Sequence, residues 1–128
     1  MPRTRKDEAP IMVDEPVVEG RYVELDDWTV AFERFPIGSD PSPLFRGLPD
    51  DRCQCKHWGY VVSGQIRVHY KESSEILRAG DAYYLRPGHL TELADGTEVI
   101  EFSHTSELAK TQEVVGRNMA AGVGVLQR

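Results

Sequence analysis

Hydrophobic residues beyond position 16 recur in short runs that either alternate with polar residues or are rich in β-branched and aromatic types. Residues 65–70 alternate most cleanly, and turn pairs such as Ser63-Gly64 and Asp95-Gly96 separate the runs. Short runs divided by turns are typical of an antiparallel sandwich or barrel. The predicted strands are residues 17–18, 22–25, 28–35, 56–62, 65–70, 75–77, 82–85 and 97–102.

Three segments depart from this pattern. Residues 36–51 are rich in proline and glycine, which predicts a long loop of the kind that often borders a site. Residues 106–121 carry apolar side chains at helical spacing, which predicts one amphipathic helix packed over one mouth or edge of the sheet. The polar, charged start of the chain predicts a flexible arm. We therefore divide the chain into a flexible N-terminal arm (1–16), a β-barrel (17–104) and a C-terminal helix and tail (105–128).

Length and charge narrow the class of protein. A chain of 128 residues with 40% hydrophobic residues can build one core without disulfides. The 15 basic and 21 acidic residues give a net charge of −6, which disfavours nucleic acid as a partner. No apolar run approaches a membrane span and no signal-like segment opens the sequence, so we expect no membrane contact and a cytoplasmic location.

A resemblance to the cupins rests on residues 80–88, Gly-Asp-Ala-Tyr-Tyr-Leu-Arg-Pro-Gly. The second cupin motif has a glycine, five residues and then Pro-x-Gly, and here Gly80 and Gly88 keep the register while the proline is displaced to Pro87. Gly64 matches the glycine that closes the first motif. The resemblance covers residues 51–102 and implies an all-β double-stranded β-helix, a jelly-roll cupin barrel, to which the predicted C-terminal helix is added.

The ligand positions of the family carry different residues here. Counting back from Gly64 places His57 where the resemblance implies a glutamate, and Cys53 and Asp51 where it implies two histidines. Thr91 stands where the last histidine is implied. The iron or manganese chemistry common in the family is therefore not implied for this chain.

Soft ligands take the place of that set. Cys53, Cys55 and His57 share parity, and His89 sits at the corner of the second motif. Thiolates and imidazoles favour a divalent metal, zinc above all. In a straight strand Cys53 and His57 would stand about 13 Å apart, so a shared ion needs a turn within residues 54–56, or only one close pair with ligands from elsewhere. The alternatives are buried core residues without any cofactor, and a metal-free redox or nucleophilic thiol.

These residues lead to two functional hypotheses. In the first, the barrel holds a small-molecule pocket, and the metal at Cys53, Cys55, His57 and His89 serves an enzyme acting on a small polar metabolite. Tyr84 or Glu92 then assists proton transfer, and Glu101 is a further candidate base. In the second, the chain is a non-catalytic small-molecule-binding or redox-sensing module without catalytic metal. An apolar face with Trp28 or Trp58 is compatible with a homodimer, the one protein partner we expect.

Overall fold

Two antiparallel sheets face each other in the computed structural model of the chain, which describes residues 3–127. One sheet has six strands in the order β1-β2-β3-β10-β5-β8, and the other has five in the order β11-β4-β9-β6-β7. The strands are β1 (Ile11–Glu15), β2 (Val18–Leu25), β3 (Trp28–Phe35), β4 (Ser39–Asp40), β5 (His57–Ser63), β6 (Gln65–His69), β7 (Ser74–Arg78), β8 (Ala82–Leu85), β9 (Leu90–Leu93), β10 (Thr97–His104) and β11 (Leu126–Gln127). This confirms the predicted all-β jelly roll with a C-terminal helix.

A packed core lies between the sheets because each strand turns alternate side chains inward. On β6, for example, Ile66 and Val68 are buried while their neighbours are only half-buried. Each fully buried aliphatic side chain contributes about 1.5–3 kcal/mol to folding. The core residues are Val61, Ile66, Val68, Leu77, Tyr83, Leu85, Leu93 and Val99.

Gly64 closes the hairpin between β5 and β6, as the turn pair predicts. Its φ of +80° lies in the left-handed region, and a Cβ at this position would stand 2.5 Å from the Cα of Thr97. Both conditions require glycine. Thr97 is itself buried, and its hydroxyl donates to the carbonyl of Ala94 at 2.7 Å.

The helix α1 (Thr105–Ala120) matches the prediction for residues 106–121 to within one residue at each end. It ends before Gly122, whose φ of +87° suits the residue that follows a helix. Asn118 Nδ2 donates to the carbonyls of Leu44 and Arg46 at 2.7 and 2.9 Å, which ties the helix to the long loop. No helix within residues 3–127 is long and apolar enough to span a membrane.

Residues 11–15, placed by sequence in an arm, form the edge strand β1 and pair with β2. Ala9, just before this strand, is only 2% exposed, and Lys6 makes a 2.6 Å ion pair with Glu98. Backbone pairing holds this segment to the sheet, and its mostly exposed side chains give no apolar periodicity to read. The boundary at residue 17 stays a prediction, which a truncation tests.

Candidate metal centre

Three side chains with sulfur and nitrogen ligand atoms meet inside the barrel. The ligand atoms of Cys53, His57 and His89 all lie within 4.8 Å of one another, and Cys53 Sγ is 3.6 Å from His57 Nε2. The three residues are buried, with 3%, 8% and 3% of their surface exposed. The structure thus brings together three of the four residues that the sequence analysis selects as ligands.

Local backbone geometry explains this convergence. Residues 54–56 belong to no strand, and Cys53 just before them forms an isolated antiparallel bridge with His89. Cys53 N–H donates to the carbonyl of His89 at 3.1 Å, and Gly88 N–H donates to the carbonyl of Cys53 at 2.8 Å. Gly88 has a φ of +93°, a conformation that glycine adopts without strain. These backbone bonds hold Cys53 beside His89, and the ligand atoms of both lie within 4.8 Å of those of His57.

In each histidine of the cluster, the ring nitrogen Nδ1 makes a hydrogen bond that orients the imidazole. His57 Nδ1 lies 2.6 Å from Ser103 Oγ, and His89 Nδ1 lies 2.8 Å from the carbonyl of Arg86. Because a carbonyl oxygen only accepts, His89 carries its proton on Nδ1 and keeps the lone pair on Nε2. Ring nitrogens held in this way are typical of metal-binding histidines.

Burial sets the protonation states of the cluster. It lowers the pKa of His57 and of His89 to about 4, so both imidazoles are neutral and able to ligate at pH 7. It raises the pKa of Cys53 to about 11, so the free thiol keeps its proton. A metal ion that binds here must displace that proton, which makes its affinity dependent on pH.

The donor set fits a zinc-type ion. Tetrahedral bonds of about 2.0–2.3 Å would place ligand atoms about 3.3–3.6 Å apart. The 4.8 Å limit exceeds that spacing by little more than 1 Å, a difference that small side-chain rotations can close. One sulfur and two nitrogens suit zinc and its borderline neighbours better than magnesium or calcium. Three protein ligands also leave a fourth position for water or a substrate atom.

Two half-buried carboxyl groups, those of Glu101 and Glu33, line the same cavity as the cluster. Glu101 Oε2 is 3.8 Å from His57 Nδ1, and its other oxygen accepts a 2.7 Å hydrogen bond from the hydroxyl of Tyr83. Glu33, on the adjacent strand, accepts a 2.6 Å bond from the hydroxyl of Tyr22. Burial raises the pKa of both carboxyls to about 7, and for Glu33 the charge of Glu101 adds to the effect.

The three ligand residues of the cluster and the two carboxyl groups, Glu33 and Glu101, all border one cavity of about 1340 Å³. Apolar residues form most of its wall, including Leu108, Val115 and Met119 on the helix face that the sequence predicts. The long loop contributes Leu44 and Phe45, which supports the expectation that this loop borders a site. The cavity therefore has an apolar body with the polar cluster at its wall.

Solved structures share this architecture. An RmlC-like cupin from Shewanella frigidimarina is 15% identical, with a TM-score of 0.55 over 79% of this chain and 88% of that one. KdgF from a Halomonas species is 22% identical, with a TM-score of 0.54 over 78% of this chain and 90% of that one. The polyketide cyclase RemF from Streptomyces resistomycificus is 13% identical, with a TM-score of 0.55 over 82% and 80%.

The chain has the cupin fold. At these identities the likeness shows the fold alone. No protein-family model matches the sequence, and no curated protein matches it either. The segment from Gly80 to Gly88, which carries the sequence resemblance, contains β8 and its two flanking turns, and both glycines have positive φ. The cupin fold that those residues predict is confirmed.

Cys55, also predicted as a ligand, lies outside the group formed by Cys53, His57 and His89. Its thiol donates to the carbonyl of Lys56 at 3.4 Å, and it is almost fully buried. Cys53, Cys55 and His57 are all buried while Gln54 and Lys56 are more exposed, so the alternation holds, but the Cys55 thiol is directed to a backbone carbonyl. Its ligand role stays a prediction that this geometry does not support.

Tyr84 and Glu92, the predicted catalytic residues, point away from the cavity of the cupin barrel. Tyr84 is 45% exposed and packs against Trp58, with ring centroids 4.9 Å apart. Glu92 contacts the ring of His69 on the outer side of the five-stranded sheet. Neither borders the main cavity. Strand alternation turns Tyr83 inward in place of Tyr84, so the geometry does not support these two catalytic roles.

Glu33 was missed by the sequence analysis although a signal for it exists. It occupies an alternate position of β3 between Ala31 and Phe35, and these three residues all border the cavity. A carboxylate among inward-facing apolar residues indicates a charge removed from water. Such a charge destabilises the fold unless it has a partner or becomes protonated. Ser103, which orients His57, gives no such signal, since its contact depends on the pairing of β10 with β5.

Proposed function

We propose that this cupin is a small metal-dependent enzyme whose Cys53, His57 and His89 hold a zinc-type divalent ion beside an apolar pocket. The observation that carries the proposal is the convergence of three buried ligand atoms within 4.8 Å. The two imidazoles are neutral and are oriented by hydrogen bonds through their second nitrogens. A bound ion supplies a Lewis acid that polarises a substrate oxygen or activates water.

Charge balance supports the same arrangement. A divalent ion with one thiolate and two neutral imidazoles keeps one positive charge inside the barrel. Glu101, 3.8 Å from His57 Nδ1, supplies the nearest carboxylate to offset it. A bound cation would also lower the pKa of that carboxyl from its raised value near 7. Ion binding and the half-buried carboxylate therefore stabilise each other.

Proton transfer is assigned to the half-buried carboxyls. Groups with a pKa of about 7 hold or release a proton at neutral pH, which suits a general acid or base. Glu101 stands beside the ligand cluster, and Glu33 lies on the adjoining strand in the same cavity wall. These two residues take the role that the sequence analysis gives to Tyr84 and Glu92.

The cavity wall also points to a class of substrate. Its surface is mostly apolar, and its titratable groups cluster around Cys53. Apolar pockets with a few placed polar groups bind molecules whose body is apolar and whose reactive end is polar. We therefore propose a small molecule with one oxygen-bearing end and a hydrophobic remainder, in place of the small polar metabolite expected from the sequence.

The second candidate function is a binding module without catalytic metal. The cavity favours it, since a pocket of about 1340 Å³ can hold a small molecule without any ion. A redox-sensing role is less well supported, because burial raises the pKa of Cys53 to about 11 and that of Cys55 to about 12. Thiolates, the reactive form, are then scarce at neutral pH.

Metal content separates the two functions. We expect protein purified under reducing conditions without a metal-chelating tag to contain zinc, or to take up zinc, iron, nickel, manganese or copper after treatment with a chelator. His57→Ala and His89→Ala should weaken binding by roughly 100-fold or more. His69→Ala, on the outer side of the barrel, is the matched control and should bind as the parent does. A parent that takes up none of these metals would leave the binding module as the function.

A further inference from the structure

The outer side of the six-stranded sheet carries a continuous apolar surface, which we name the aromatic face. Its residues belong to β3, β5, β8 and β10, and each is between 38% and 46% exposed. Six of the large hydrophobic side chains exposed in the described part of the chain are gathered here. They are Trp28, Trp58, Tyr60, Val62, Tyr84 and Phe102.

The aromatic side chains at the centre of this face lie on paired strands and pack against one another. Trp58 pairs with Phe102 on one side and with Tyr84 on the other. The ring centroids of Trp58 and Tyr84 are 4.9 Å apart, and those of Trp28 and Trp58 are 5.6 Å apart. The surface is therefore one patch and not a scatter of single exposed residues, which would need no explanation.

The other sheet shows what a solvated outer face looks like in this molecule. Its outward positions on β6 are Gln65, Arg67 and His69, and Arg67 pairs with Glu92 of β9. On β5, by contrast, the outward residues are as apolar as the inward ones. A sheet that is apolar on both faces is typical of one that is covered on both faces. Residues 3–127 supply no element that covers this one.

The size of the patch matches half of a dimer contact. Large apolar side chains present roughly 150–250 Å² each, so six of them at about 40% exposure leave about 400–600 Å². Two copies would then bury about 800–1,200 Å² from these side chains alone. With a surrounding rim, the contact reaches the 1,200–2,000 Å² of a standard specific interface.

Charge favours a second copy over other occupants. The six residues of the face are uncharged, so two chains of net charge −6 place no carboxylates directly against each other there. Charged residues at one end of the sheet are already paired within the chain, as Lys6 with Glu98 and Arg34 with Glu19. An anionic membrane would need a basic rim, which a chain with more acidic than basic residues does not favour.

We propose that the aromatic face joins two copies of this chain into a symmetric homodimer. A two-fold contact uses the same patch on both copies, so one self-complementary apolar sheet face is sufficient. This inference is independent of the metal, since the face lies on the opposite side of the sheet from the cavity.

Sedimentation velocity of the purified chain tests the proposal. At roughly 10 µM the parent should sediment as a species of twice the 14.4 kDa chain mass. Trp58→Glu should sediment as a monomer with an unchanged far-ultraviolet circular dichroism spectrum, because it places like charges across the contact. Arg67→Glu, on the solvated outer face, is the matched control and should remain dimeric. Tyr84→Glu is the second variant if Trp58→Glu fails to fold.

Tryptophan fluorescence gives an independent reading, because both tryptophans of the chain, Trp28 and Trp58, lie on the face. Dilution should shift the emission to longer wavelength and raise quenching by acrylamide, with the same midpoint as the change in mass. A parent that is monomeric at 10 µM, or a dimer that survives both Trp58→Glu and Tyr84→Glu, would overturn the proposal. Binding of a monomeric parent to vesicles of anionic lipid would overturn it in favour of a membrane surface.

Discussion

The packed region of the barrel and the cavity beside it lie between the same two sheets but are built from different side chains. Val61, Val68 and Leu77 fill the packed region, where alternation alone decides which residues are buried. The cavity wall instead buries Cys53, His57 and Glu101, whose solvation is lost. Burial of apolar side chains stabilises the fold, whereas burial of ionisable ones shifts their pKa values and costs stability. The two regions should therefore respond in opposite ways to substitution.

Leu77→Ala should give the largest effect. Leu77 is 5% exposed and lies in the core away from the cavity, so its removal leaves a void. We expect the free energy of unfolding to fall by about 3 kcal/mol, with metal content unchanged. Chemical denaturation and elemental analysis measure the two quantities. Loss of metal in a variant that still folds would show that the two regions are not separate.

Glu33→Gln tests the cavity side of the comparison. The pKa of Glu33 is raised from an ordinary 4.5 to about 7, so the folded chain binds more protons than the unfolded chain between those values. Parent stability should therefore fall as pH rises through this window, and the variant should lack that part of the loss. With the metal removed by a chelator, the stability of the variant relative to the parent should be greater at pH 8.5 than at pH 5. A gain that does not change with pH would contradict the raised pKa.

Deletion of residues 1–15 should have the smallest effect on stability. The segment includes β1 and buried Ala9, and Pro10, Met12 and Val13 stand at the rim of the cavity. We expect the free energy of unfolding to fall by about 1–2 kcal/mol, less than for Leu77→Ala. A chain with parental stability would instead support the separable arm expected from the sequence.

The same contrast explains how far sequence reasoning reaches in this molecule. The strands of the packed region were predictable because alternation and turn glycines such as Gly64 are local signals. In the cavity, alternation correctly buries Cys55 together with Cys53 and His57, but it gives no sign that the Cys55 thiol lies outside the ligand group. The contacts of His57 with Ser103 and Glu101 depend on the pairing of β5 with β10, which is distant in sequence and carries no local pattern.

Titration with cobalt(II) tests the metal centre most directly, because a cobalt–thiolate bond absorbs light that a cobalt–imidazole bond does not. We expect about one cobalt ion per chain, with a thiolate-to-metal absorption band that zinc abolishes by displacement. Cys53→Ser should lose the band, while Cys55→Ser should keep it, since only Cys53 lies with His57 and His89. A parent without cobalt binding, or a band that depends on Cys55 and not on Cys53, would contradict the account.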